Sequence, residues 1–78
     1  MEQKWQGRIE INPRVLVGKP IIKGTRISVD FILDLLAHGW TNEQIIKNYP
    51  QLKKTDIQAA LEYSAHSLRH EAVYPLEA

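Results

Sequence analysis

His66 and His70 stand four residues apart in a helical pattern, with Glu62 four residues further back. That spacing puts all three on one helix face, where they could hold a divalent metal. A further ligand at matching distance is missing from the segment, and His38 is the one other histidine able to approach in space. A solvated polar face is the plainer reading of the three. Asp30 and Asp34 lie one helical turn apart, yet no histidine or nucleophile stands next to them in sequence, so they read as an exposed charged face. Ser28 and Ser64 read as a cap and a packing residue, since neither has a base beside it to activate a hydroxyl. Gly18 and Gly24 do not form a phosphate-binding loop, because the following helix starts too late and lacks the lysine–hydroxyl pair. With no cysteine, disulfides and cysteine-based metal sites are excluded. These residues predict no enzyme and no cofactor.

Basic and polar residues at the start of a helix are the better candidates. Lys53, Lys54, Thr55, Gln58 and Ala59 open the last helical pattern of the chain. Two lysines there could neutralise phosphates, and the positive end of the helix dipole adds to them. Gln58 could read adenine, Thr55 a phosphate or base edge, and Ala59 a thymine methyl. Glu62 further along would repel phosphate, and no arginine is placed to read guanine. Capping plus a solvated lysine pair is the competing reading. Lys23 and Arg26 form a second basic point, on a turn, where they could contact the DNA backbone like a wing. Arg26 could equally pair with Asp30, four residues on.

The turn belongs to the run Gly18-Lys19-Pro20-Ile21-Ile22-Lys23-Gly24-Thr25-Arg26-Ile27-Ser28-Val29. Pro20 lacks a donor and confines Ile21-Ile22 to an edge or hairpin strand. Gly24 tolerates positive φ, so Ile21-Ile22 and residues 26–28 read as strands joined at Lys23-Gly24-Thr25. Arg8-Ile9-Glu10-Ile11 also alternates with the period of a strand, ended by Asn12-Pro13. Such an edge is a place where two copies could pair.

Three helices follow. Ser28 caps the first, Asp30 suits its amino-terminal dipole, and Val29, Ile32, Leu33, Leu35 and Leu36 form its apolar stripe. Gly39 ends it, with Trp40 folding back onto Leu35. Thr41 and Gln44 predict a capping box for a short second helix over residues 42–48, closed by Pro50. Thr55 and Gln58 predict another box, opening a third helix that runs to about residue 70. Its expected stripe is Ile57, Ala60, Leu61, Ser64, Ala65 and Leu68. The expected fold class is mainly α, a three-helix, homeodomain-like helix-turn-helix with a short amino-terminal β-hairpin.

The run Gly-Lys-Pro-x-Ile-x-Gly-Thr-Arg-Ile, followed by a helix, then Tyr49-Pro50 and Ala59-Ala60-Leu61, resembles the small prokaryotic family called domain of unknown function 433. The resemblance covers residues 8–70. It implies a non-enzymatic, antitoxin-like protein of a toxin–antitoxin pair, homeodomain-like in fold, whose partner is a PIN-like ribonuclease toxin. Operator DNA is a second candidate partner. The alternatives are a DNA-binding regulator without a toxin and a protein-interaction adaptor.

Seventy-eight residues are expected to form one domain over 1–78, with a β-hairpin region at 8–28, helices at 29–70 and a tail at 71–78. A chain this short buries only about 60% of its unfolded surface, a shortfall that homodimerisation would relieve. The net charge of +1 conceals an uneven pattern. Residues 1–26 carry Lys4, Arg8, Arg14, Lys19, Lys23 and Arg26 against Glu2 and Glu10, and residues 47–54 carry three lysines. The intervening and final segments are net acidic. This permits one side facing nucleic acid and another facing protein. Residues 1–7 read as loose. The tail alternates acidic and apolar side chains, so Tyr74 and Leu76 are candidates for contact with a partner protein, against packing on the domain itself. No apolar run approaches a membrane span and no export leader stands at the amino terminus, so the expected location is cytoplasmic.

Overall fold

A computed structural model of the chain describes residues 4–70. Strand β1 (Ile9–Ile11) pairs antiparallel with β2 (Pro20–Ile22), in the register Ile9 to Ile22, Glu10 to Ile21 and Ile11 to Pro20. Three helices follow: α1 (Val29–Ala37), α2 (Asn42–Asn48) and α3 (Lys54–His70). Three helices and a two-stranded ribbon are the expected fold class. The ribbon, however, is drawn from different residues.

The predicted partner of Ile21-Ile22 was the segment 26–28. That segment contributes only a single bridge, Ile21 to Ser28, with the Ile22 N–H donating to the Ile27 carbonyl at 2.9 Å. Ser28 cannot continue a strand because it is already the N-cap of α1, where its hydroxyl accepts from the Phe31 N–H at 3.1 Å. The tight turn itself forms. Gly24 has φ +81° and the Thr25 N–H reaches the Ile22 carbonyl at 3.0 Å, the arrangement of a type II turn. Thr25 locks it, donating its hydroxyl proton to the Ile22 carbonyl and accepting from the Ile27 N–H.

Local stop and start signals hold at the other helices. Beyond α1 the Trp40 N–H reaches the Leu35 carbonyl and the Gly39 N–H the Leu36 carbonyl, both bonds of a Schellman end, with Gly39 at φ +89°. At α2 the capping box is complete: the Thr41 hydroxyl accepts from Gln44 N–H, and the Gln44 amide oxygen from Thr41 N–H at 2.8 Å. Helix α3 starts differently. Its first intrahelical bonds run to the Lys53 carbonyl, and the Asp56 carboxylate, not Gln58, reaches back to the Lys53 N–H at 2.9 Å. The predicted Thr55–Gln58 box does not form, because the helix begins before Thr55.

The core joins ribbon and helices through Ile22, Val29, Ile32, Ile45, Leu52, Ile57 and Ala60, all buried. Leu33, Leu35, Leu36, Trp40 and Tyr49 pack around them. The stripe of α3 is rotated from the expected one. Asp56, Ile57, Ala59 and Ala60 turn inward, whereas Leu61, Ala65 and Leu68 are exposed. The amino terminus, expected to be loose over residues 1–7, packs against this helix instead. A turn at Lys4–Gly7 brings Trp5 edge-on to Tyr63 at 5.1 Å and close to His66 at 5.2 Å. Aromatic pairs of this geometry are worth about 1 kcal/mol beyond their buried area. They hold the Tyr63 side of α3 against the domain.

One further turn is strained. Leu16 and Val17 have φ +49° and +56°, followed by Gly18 at +80°. A β-branched residue in the left-handed region costs on the order of 1–3 kcal/mol. Val17 is nonetheless 97% exposed, so it gains nothing from burial among the described residues.

Asp30 pairs with Lys19 at 3.2 Å rather than with Arg26, because the strand start at Pro20 brings Lys19 to the head of α1. The hydrogen bond donated by the Ser28 hydroxyl, together with Lys19, holds the Asp30 carboxyl below the ordinary carboxylate range. A group whose folded-state pKa is depressed stabilises the fold above its unfolded pKa and loses that contribution as pH falls through the folded value. The Asp30→Asn variant is therefore expected to be less stable than the parent at pH 7. Screening of this exposed pair limits the difference to about 0.2–1 kcal/mol. The gap should close as urea titrations are taken below about pH 4, where the unfolded carboxyl protonates.

Candidate functional site

The leading end of α3 is the part of the molecule where basic residues, a helix start and the ribbon converge. Leu52 anchors it: its side chain is fully buried and its N–H donates to the Tyr49 carbonyl at 2.9 Å. One residue later the chain emerges, so Lys53, Lys54 and Thr55 are exposed, and Gln58 is exposed one turn on. Four of the five helix residues expected to contact DNA therefore stand in solvent on one end of one helix. Ala59 does not. It is 3% exposed, packed inward beside Ala60, and has no surface to offer a thymine methyl. A small residue flanking the buried stripe goes inward once Tyr63 is the next inward position.

Asp56, in the midst of these residues, is only 6% exposed. One carboxylate oxygen accepts the Lys53 N–H, and the other accepts from the Arg8 guanidinium at 3.0 Å. Arg8 precedes β1, and its carbonyl accepts the Lys23 N–H at 2.7 Å. The basic turn of the ribbon is thus tied by one side chain to the head of α3. Lys23 and Arg26 are exposed on that turn. The site gathers basic residues from two distant stretches, while the acid between them is neutralised and turned inside.

Neither Arg8 nor Asp56 stands out in the sequence as a site residue. Asp56 carries a weak local signal, standing three residues after Lys53 where an acid can cap a helix start. Arg8 carries none, being 48 residues away. Tyr74 and Leu76, proposed from the sequence for partner contact, lie outside the described residues. Among the described residues no three or more histidine, aspartate and glutamate side chains are grouped to hold a metal, so Glu62 and His66 do not converge with His38. No helix among them is long and apolar enough to cross a membrane.

The family model described as "Protein of unknown function (DUF433)" matches residues 9–64, from β1 through most of α3. The chain belongs to this family. The fold of a DUF433 member protein from Anabaena variabilis, known from a crystal structure, is similar, with a TM-score of 0.76 and 31% sequence identity. That similarity covers 82% of the present chain and 63% of the Anabaena protein, so the DUF433 chain described here spans less than two thirds of its length. No curated protein matches the sequence.

The Arg8–Asp56 tie is the testable element of this DUF433 site. Replacing Arg8 with alanine leaves a buried carboxylate with one partner fewer, which is expected to cost about 2 kcal/mol in urea unfolding. Arg8→Lys should lose less, since it keeps the charge but not the planar fork.

Proposed function

We propose that this DUF433 chain is a non-enzymatic, antitoxin-like protein that binds double-stranded DNA through α2 and α3 as a helix-turn-helix. Its protein partner, on the family resemblance, is a PIN-like ribonuclease toxin. One observation carries the DNA reading. The leading end of α3 keeps Lys53, Lys54, Thr55 and Gln58 in solvent, while the acid of that turn is buried against Arg8. A solvent-facing Asp56 would repel phosphate, whereas an inward one leaves a positive helix end.

In this reading Lys53 and Lys54 take phosphates beside the major groove and Gln58 reaches a base edge. Thr55 holds a phosphate or a base edge. Lys23 and Arg26, fastened beside the helix through Arg8, add backbone contacts as a wing. Glu62, one turn past Gln58, marks where DNA contact along α3 ends. Contact with the toxin is assigned to Tyr74 and Leu76.

Fluorescence anisotropy with duplex from upstream of the chain's own reading frame tests this. Wild-type affinity should fall steeply with salt, and Lys53→Ala with Lys54→Ala should flatten the log–log slope by about 2. Absence of duplex binding at low ionic strength, or a slope untouched by the double substitution, overturns the DNA reading. The toxin reading predicts that a ribonuclease co-purifies with the native chain and is lost when residues 71–78 are removed.

A further inference from the structure

Among the described residues, Pro20, Val29, Leu33, Tyr63 and Leu68 line an apolar groove of about 320 Å³. It lies between β2, the head of α1 and the later turns of α3. Ser64 and Ser67, both small, complete its α3 wall. The polar groups there are largely engaged already. Lys19 and Asp30, which also line the groove, bond to each other at 3.2 Å, and the Ser64 hydroxyl donates to the Ala60 carbonyl at 2.8 Å. The groove therefore suits an apolar occupant and not an ionic one. Its volume falls at the low end of the roughly 300–1,000 Å³ of ligand pockets, room for one or two large side chains and not for a helix. Leu68 is 64% exposed, so the described residues leave this apolar wall open.

We infer that the groove receives Tyr74 and Leu76 of the same chain, folded back along α3. Residues 71–78 lie outside the described residues and continue directly from that helix. The wall on α3 runs from Tyr63 to Leu68, about 7.5 Å of helix, and Leu68 stands two residues before the helix end at His70. Eight extended residues reach at most about 26 Å. Glu71 and Ala72 can thus reverse the chain, and the next four residues, about 13 Å when extended, still run the length of the wall.

The chemistry of the segment matches. Val73, Tyr74, Pro75 and Leu76 are its apolar run. Pro75 fixes its own φ and biases Tyr74 away from helical geometry, so the run is set toward an extended form before it docks. In an extended segment residues two apart share a side, which sends Tyr74 and Leu76 into the groove together and leaves Glu77 pointing out. A pre-set shape lowers the entropy lost on docking. The short tether also holds the segment at an effective concentration on the order of millimolar, which a separate molecule would have to match. Residues 1–3, likewise outside the described residues, offer only Met1 as an apolar side chain. The docked contact forms within one chain and stands whether or not DNA or a toxin binds. A partner protein that takes Tyr74 and Leu76 has to draw them out of the groove first.

Methyl NMR of the 78-residue chain tests this, with the free peptide of residues 71–78 as the undocked reference. Nuclear Overhauser contacts are expected between the Tyr74 ring and the methyls of Val29, Leu33 and Leu68, unchanged on dilution. Leu68→Glu, at an exposed position, should abolish the contacts to Val29 and Leu33 and return the Tyr74 ring signals to those of the peptide. Tyr74→Ser with Leu76→Ser should shift the Leu33 and Leu68 methyl resonances. In both variants the buried Ile45 methyl, which does not line the groove, should keep its position and report an intact fold. Wild-type Tyr74 signals that match the free peptide overturn the proposal, as do Leu33 and Leu68 resonances indifferent to the double substitution. Contacts that fade on dilution overturn it too and assign the groove to a second copy. Contacts from Met1 in place of Tyr74 overturn it in favour of the amino terminus.

Discussion

A single carboxylate ties the ribbon to the head of α3. Asp56 is buried in the first turn of α3, where an ionised group is costly unless its oxygens find partners. One oxygen takes the backbone N–H of Lys53, which sets where the helix begins. The other takes the guanidinium of Arg8, which fastens the ribbon to the helix. Because one group serves both ends, the start of α3 and the position of the ribbon cannot change separately. The start of the helix in turn fixes its rotation, so Lys53 and Lys54 face solvent and Ala59 faces the core.

That rotation divides α3 into surfaces with different chemistry. Its head is basic and polar, and lies beside the Lys23 turn of the ribbon. Its inward side is covered by Trp5 and the core, through Tyr63 and the buried alanines. Its outer far half leaves Leu61 and Leu68 exposed.

The Leu16–Val17 turn is held against its local preference. A left-handed valine is disfavoured locally, and none of the described residues covers its side chain. Two bonds close the turn, from Gly18 to the Val15 carbonyl and from Lys19 to the Leu16 carbonyl. Such strain persists where the surroundings over-determine it, and it clusters at sites that meet other molecules.

Most of what is decided within about five residues was legible in the chain; the exception is the head of α3, where Asp56 caps Lys53 in place of the expected Thr55–Gln58 box. The Ser28 cap, the Gly39–Trp40 helix end, the Thr41–Gln44 box and the Gly24 turn each need only near neighbours, and each formed as its residue types dictate. The number and order of the helices followed from those signals. Tertiary structure alone decided the rest. It gave β2 the partner β1 in place of residues 26–28, packed Trp5 on Tyr63, turned Asp56 inward to Arg8 and left Leu61 and Leu68 outside. An apolar stripe tells which residues can be buried, but α3 has more apolar circumference than this small domain can cover. Which part is covered depends on residues some fifty positions away, and helical periodicity carries no record of them.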